Sequence, residues 1–193
     1  ALSYLGPGKG ITVHAYGDAT KALLDFRPGD RIGVRGPYGN TFKLEGEKVL
    51  AAAGGTGMAS IIAAIEAFAQ QGAEVTTAVG ARTAEELLFV DRASASGEVH
   101  VSTDDGSRGF HGFVPALTQR LLEKHKFDQI LTCGPERMMK LIVDDARARG
   151  IKVQASLERY MKCGIGICDA CAFDDRLICV DGPVFTGTQL GSS

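Results

Sequence analysis

The sequence predicts an α/β protein built on a parallel sheet, with a β-rich piece before it and a cysteine-rich loop after it. Three observations carry that reading. Between residues 48 and 157 short apolar runs alternate with stripes of helical period, the signature of βαβ units. A glycine-rich turn, Gly54-Gly55-Thr56-Gly57, separates the first run from the first stripe. Four of the five cysteines, Cys163, Cys168, Cys171 and Cys179, fall close together near the C-terminus.

Taken in order, residues 1–46 read differently from the rest. Ile11, Val13 and Ala15 alternate with Thr12, His14 and Tyr16, and residues 31–35 alternate again, both strand patterns. Arg27-Pro-Gly-Asp30 and Gly36-Pro-Tyr-Gly-Asn40 carry turn chemistry, and residues 18–24 suit one or two helical turns. The piece is too short to close a barrel by itself, and a boundary is expected near residues 45–47. Residues 48–53 then read as a strand and 58–71 as a helix with apolar positions at 58, 61, 62, 65, 68 and 69, stopped at Gly72. Further strands are expected at 74–79, 98–102, 128–133 and 151–157. Helices are expected at 83–89, at 113–125 with Leu117, Leu121 and Leu122 inward, and at 136–149 with Met138, Met139, Ile142 and Val143 inward. Residues 187–193 read as a loose tail. In such a sheet ligands lie beyond the carboxyl ends of the strands. Here those ends lead into Gly54-Gly55-Thr56-Gly57, residues 80–83 and 103–106, and Cys133-Gly134-Pro135.

Composition narrows the function. The 193 residues suit one large or two small domains, and 45% hydrophobic against 23% charged residues excludes a disordered chain. A net charge of −2 with no long basic run argues against a nucleic-acid partner. No apolar run reaches the roughly 18 residues of a membrane span, and no leader is visible, so a cytoplasmic protein is expected.

The cysteine cluster reads C-x4-C-x2-C-x7-C and admits three readings. Disulfides need an oxidising compartment, for which nothing here argues. A structural zinc wants two short paired knuckles, and only Cys168 and Cys171 have that spacing. A [2Fe–2S] cluster is favoured, because C-x4-C-x2-C followed by a more distant cysteine is the plant-type ferredoxin spacing. Gly164 and Gly166 would let such a loop turn tightly and aim N–H groups at sulfur. Cys133 stands apart at the end of an apolar stretch. It is either a buried strand-end residue or a group facing a cofactor at the sheet's edge.

The glycine turn suits a phosphate, since a bare helix N-terminus offers N–H groups and the positive end of a dipole. It is not the usual dinucleotide fingerprint. Ser60 replaces the third glycine, and the second strand runs into Val79-Gly-Ala-Arg82 without an acidic residue. No Gly-Lys-Ser/Thr follows, which excludes a P-loop. His14, His100, His111 and His125 show no metal-ligand spacing, and nothing selects a hydrolase triad.

Together these residues resemble the electron-transfer subunits of dihydroorotate dehydrogenase, an iron–sulfur flavoprotein family. The resemblance rests on Gly36-Pro-Tyr-Gly-Asn40, Gly54-Gly-Thr-Gly57, Thr103-Asp-Asp-Gly-Ser107, Cys133-Gly-Pro135 and Ser156-Leu-Glu158. Above all it rests on the cysteine cluster followed by Asp181-Gly-Pro-Val-Phe185. It implies a ferredoxin-reductase-like build: a partial FAD-binding β-barrel at 1–46, an NAD-binding α/β domain at 47–157, and a [2Fe–2S] segment at 158–193. It implies FAD contacts at Leu2, Ser3 and Tyr4, at Thr12, Val13 and His14, and at Ala19 and Thr20. NAD would lie on Gly54, Gly55, Thr56, Gly57, Cys133, Gly134 and Pro135, and the cluster on Cys163, Cys168, Cys171 and Cys179. By the same resemblance, an FMN-containing catalytic subunit passes electrons from dihydroorotate through cluster and FAD to NAD+, in a heterotetramer serving pyrimidine biosynthesis. The family barrel has strands ahead of the position where this sequence starts, so FAD is expected to be held weakly. Arg82 would suit a 2′-phosphate and Glu85 and Glu86 would oppose one, which leans to NAD. The alternative is a related reductase subunit, of a sulfhydrogenase or an NADH–ferredoxin:NADP oxidoreductase. Some of the latter carry aspartate where this chain has Cys163.

Overall fold

A computed structural model describes residues 2–191. Its centre is a seven-stranded sheet, in the order β11-β8-β7-β3-β4-β5-β6. The strands are β3 (Lys48–Gly54), β4 (Glu74–Ala81), β5 (Gly97–Thr103), β6 (Phe110–His111), β7 (Gln129–Cys133), β8 (Lys152–Ser156) and β11 (Val184–Thr186). All neighbours run parallel except β11, which pairs antiparallel with β8. The helices are α2 (Gly57–Gln70), α3 (Val90–Ser94), α4 (Val114–Lys124) and α5 (Glu136–Ala148).

Both faces of the sheet are covered, which is why β7 throughout and β3 after Lys48 are buried at successive positions rather than at alternate ones. On one face Met58, Ile61, Ile62 and Ile65 of α2 pack on Val49, Ala51, Ala53 and Leu131. On the other, α4 and α5 bring Leu117, Leu121, Met139 and Ile142 onto Leu50, Ala52 and Ile130. Each fully buried Ile or Leu contributes about 1.5–3 kcal/mol relative to exposure.

The structure corrects the sequence reading in three places. Residues 83–89 are not one helix: a 3-10 turn spans Ala84–Glu86, and the chain restarts as α3 at Val90. The break falls at Phe89, whose φ of 55° is left-handed and interrupts a right-handed helix. Two short strands, β6 and β11, carry too few residues to show a period. Val184 and Phe185 are buried, so the segment after the cysteines closes the sheet's edge. In residues 2–46 only β1 (Leu2–Tyr4) and β2 (Gly10–Ile11) pair, and α1 (Asp18–Leu24) is the one helix described there. The alternating residues 31–35 form no strand. Ile32 and Val34 are exposed, and alternation yields a strand only where a neighbour pairs with it.

Residues 35–47 are held by side chains rather than by a ladder. Gln129 on β7 is fully buried; its amide donates to the Lys43 carbonyl and its oxygen accepts from Glu45 N–H. Gln154 on β8 does the same around Lys43. Asp128 accepts from the N–H groups of Glu47 and Lys48, both at 2.9 Å, which pull its carboxyl below the usual range. The last pair of strands, β9 (Ala172–Phe173) and β10 (Arg176–Leu177), forms a small hairpin inside the cysteine loop.

Candidate functional site

The carboxyl edge of the sheet brings the two predicted turns together. Gly54 ends β3 beside Cys133 at the end of β7. A Cβ on Gly57 would collide with the Cys133 carbonyl and the Gly134 nitrogen, and a Cβ on Gly54 would meet Met138 and Pro135. Gly134, at φ 151°, would drive its own Cβ against Met138 and the Gly54 backbone. The start of α2 and the turn before α5 therefore touch backbone to backbone, which only glycine allows. Gly55 is the opposite case. Its φ of 53° is left-handed, its N–H donates to the Gly80 carbonyl at 2.8 Å, and nothing lies within 4 Å of where a Cβ would point. That open space over a helix start, where Thr56 makes no side-chain cap, fits an incoming phosphate.

Cys133 itself is fully buried among Ala53, Leu131 and Met58. Burial pushes its thiol up to about 11, with the Glu158 charge adding to the effect. It stays protonated near neutrality, and what it presents to the edge is its backbone.

All four clustered cysteines are free thiols. Cys171 and Cys179 are buried, Cys163 half-buried and Cys168 exposed. The loop turns at Gly164 and Gly166, both left-handed, at φ 72° and 79°. It points the N–H groups of Ile165 and Ile167 at Cys163 Sγ, at 3.4 and 3.5 Å. Those two donors bring the Cys163 thiol down to about 6. Burial and then a bond that the Cys179 thiol donates to Cys171 raise that of Cys179. The thiols act on one another within the loop, Cys168 on Cys163, and both Cys171 and Cys163 on Cys179. Among the described residues no group of three or more His, Cys, Asp or Glu side chains is arranged to hold a metal ion. A mononuclear zinc needs four ligands about one point, whereas a two-iron core can take two protein sulfurs at each iron. Four thiols on one loop, with N–H groups aimed at sulfur, fit the second.

Two residues grip this loop, Arg35 at the end of the alternating run and Asn40 at the end of the turn that follows it. Arg35 donates to the carbonyls of Cys163, at 2.6 Å, and Lys162, at 3.3 Å. Asn40 donates to the carbonyls of Asp181 and Val184 and accepts from Val184 N–H, each at 2.9 Å. Tyr38 lies where a Cβ on Gly164 would have to go. A turn motif in sequence announces its bend, not the distant carbonyls its side chains reach.

The remaining predicted residues come together only in part. Ser3 is buried, and its oxygen accepts from the Thr12 hydroxyl at 2.8 Å. Leu2 and Tyr4 are exposed on either side of it, and Tyr4 meets Phe89 edge to face. Arg92, paired to Glu66 at 2.8 Å through two nitrogens, stacks on Tyr4 and so ties the N-terminal piece to α3. Val13 is half-buried and His14 exposed. Ala19 is exposed in α1, and the Thr20 hydroxyl is spent on the helix's own first turn, bonding Tyr16, Gly17 N–H and Gly17 carbonyl.

Comparisons with known proteins match this geometry. The model of the oxidoreductase NAD-binding domain covers residues 52–144, and that of the iron–sulfur cluster binding domain of dihydroorotate dehydrogenase B covers 158–191. A solved NADH-dependent reduced ferredoxin–NADP oxidoreductase superposes with a TM-score of 0.82 at 34% identity, over 92% of this chain and 66% of that one. The cytochrome b5 reductase domain of Ulva prolifera nitrate reductase, 18% identical, shares the fold with a TM-score of 0.54. The chain is thus an oxidoreductase of ferredoxin-reductase-like fold with a C-terminal iron–sulfur segment. A Methanocaldococcus jannaschii protein named "probable dihydroorotate dehydrogenase B (NAD(+)), electron transfer subunit" is 54% identical over 182 residues, 93% of this chain and 71% of that protein. A Thermoplasma acidophilum protein of the same name is 41% identical over 190 residues, 98% of this chain and 73% of the relative. This chain belongs to the family of dihydroorotate dehydrogenase B electron transfer subunits.

Proposed function

We propose that the chain carries electrons from an FMN-containing, dihydroorotate-oxidising subunit to NAD+ in a heterotetramer, as a cytoplasmic step of pyrimidine biosynthesis. The observation that carries the reading is one chain holding both a four-thiol loop with N–H groups aimed at sulfur and a glycine-lined nucleotide edge, 54% identical to a relative named as such an electron transfer subunit. We assign three parts: residues 1–46 to flavin binding as part of a barrel, 47–157 to NAD, and 158–193 to the cluster. Among the described residues no helix is long and apolar enough to cross a membrane.

When bound, the nicotinamide supplies hydride chemistry, the cluster supplies single electrons, and the flavin exchanges one for the other. The chain's own residues position and tune. Gly55 keeps side-chain atoms away from the α2 start, so that a pyrophosphate can reach backbone N–H groups there, with Gly134 and Pro135 as the facing wall. Cys163, Cys168, Cys171 and Cys179 would hold the two irons, and Ile165 and Ile167 N–H groups donate to Cys163 sulfur, a bond that moderates its charge. Leu2, Ser3, Tyr4, Thr12, Val13, His14, Ala19 and Thr20 would line the flavin. None of these roles asks a side chain to transfer a proton.

The apolar Ile165 and Ile167 are exposed on the cluster loop, which supports a protein contact there. Anaerobically prepared protein should hold about two irons and two sulfides per chain, with FAD held weakly and supplied in the assay. Mixed with the FMN-containing subunit, dihydroorotate and NAD+, it should yield NADH only when both proteins are present. Zinc in place of iron, or turnover with a ferredoxin-linked partner instead, overturns the reading. The ferredoxin-linked result would favour the second candidate, the reductase type of the solved 34% relative.

A further inference from the structure

Arg82 is the first residue beyond β4, the strand beside β3, and the two strand exits are tied together by the Gly55 N–H bond to the Gly80 carbonyl. In a nucleotide-binding parallel sheet the exit of the second strand faces the adenosine ribose. A carboxylate there suits the free 2′-hydroxyl of NAD, and an arginine suits the 2′-phosphate of NADP. By position alone, Arg82 argues for the phosphate. Its guanidinium, however, is engaged in a two-point pair with Glu86, Nε to Oε2 at 3.0 Å and Nη2 to Oε1 at 2.6 Å. We propose that Glu86 is a specificity-determining residue, which holds Arg82 in this fork and so makes the site select NAD(H) over NADP(H). The proposal rests on the NAD reading above and adds the means by which it discriminates.

The surroundings fix the backbone that carries both partners of the fork. The Asp104 and Asp105 N–H groups donate to the carbonyls of Ala81 and Arg82, at 3.1 and 3.2 Å, so the turn after β5 is fastened to the backbone of Arg82 itself. Asp105 accepts from both the N–H and the hydroxyl of Ser107, and the Ser107 hydroxyl in turn accepts from Ala84 N–H. That bond fastens the 3-10 turn carrying Glu85 and Glu86. A 2′-phosphate brought to this exit would meet a guanidinium whose bidentate edge is occupied. It would also meet the charges of Glu85, Glu86, Asp104 and Asp105 beside that of Arg82. A neutral 2′-hydroxyl meets no such repulsion and can donate to a carboxylate. A carboxylate and a phosphate compete for the same planar fork, which is how this exposed pair acts on preference.

The test uses the full chain with flavin and cluster loaded, titrated anaerobically with NADH and with NADPH. The wild type should prefer NADH. Glu86→Gln keeps the shape and removes the charge, and should raise the NADPH-to-NADH affinity ratio on the order of tenfold. Glu86→Ala should act in the same direction. Adding Arg82→Gln to Glu86→Gln should cancel the gain, because the gain needs the freed guanidinium. A gain that survives in the double variant overturns the fork and leaves only charge. An unchanged ratio in both single variants with native cluster spectra overturns the proposal but not the NAD reading. A wild type that binds neither nucleotide overturns the NAD reading itself and this proposal with it.

Discussion

The sheet of residues 48–156 and the piece before it share one chain but are held in different ways. In the sheet, each central strand is paired on both sides, and helices cover both faces, so Val49, Leu50, Ile61 and Ile130 are wholly buried. In residues 2–46, Tyr16 is 90% and Val34 83% exposed, and order comes from side chains reaching far along the chain. The comparison teaches that hydrophobic pattern dictates position only where a second layer exists to receive it. Elsewhere a buried amide or carboxylate has to take over the backbone's hydrogen bonds.

The widest gap should appear in truncation. Ile61→Ala, at the centre of the α2 layer, should cost about 2–5 kcal/mol in denaturant unfolding. Val34→Ala should stay within about 0.5 kcal/mol. Equal losses would erase the distinction. Next comes Gln129→Leu, which strands the Glu45 N–H and leaves the Lys43 carbonyl to Gln154 alone. It should lose about 1–3 kcal/mol and open residues 41–46 to proteolysis, read by cleavage rate.

Asp128 sharpens the comparison through pH. Its carboxyl is depressed in the folded chain, so its stabilisation is present above the ordinary carboxylate range. It is lost as pH falls through the lowered folded value. Asp128→Ala should therefore flatten the acid limb of a melting-temperature profile between about pH 5 and 2 and lower the plateau above it. A profile parallel to wild type would show that this anchor does nothing. The smallest effect concerns Cys133. Being buried and protonated up to about 11, it should resist alkylation at pH 8 until the chain unfolds. Cys133→Ala should keep its full iron content.

Much of this arrangement is legible in sequence because it is periodic or fixed by spacing. The five main strands, α2, α4 and α5 follow from runs and stripes that burial enforces, and the cysteine loop follows from its intervals. Two-residue β6 and three-residue β11 carry no period, and Phe89 breaks a helix by a backbone angle that residue identity does not encode. At the site, the glycines of both turns are visible from type alone, whereas their mutual contact is a property of register between β3 and β7. Arg35 and Asn40 were invisible as cluster-loop residues, since the carbonyls they hold lie more than a hundred positions away.

That last pair alters what counts as a module. Residues 158–191 match a domain of their own by sequence, yet one end of the loop hangs on Arg35 and the other on Asn40. Transplanted to another scaffold as that contiguous stretch, the loop would arrive with Cys163 and Val184 untethered and Gly164 missing the ring it rests on. The portable part is discontinuous: residues 35–40 have to travel with it.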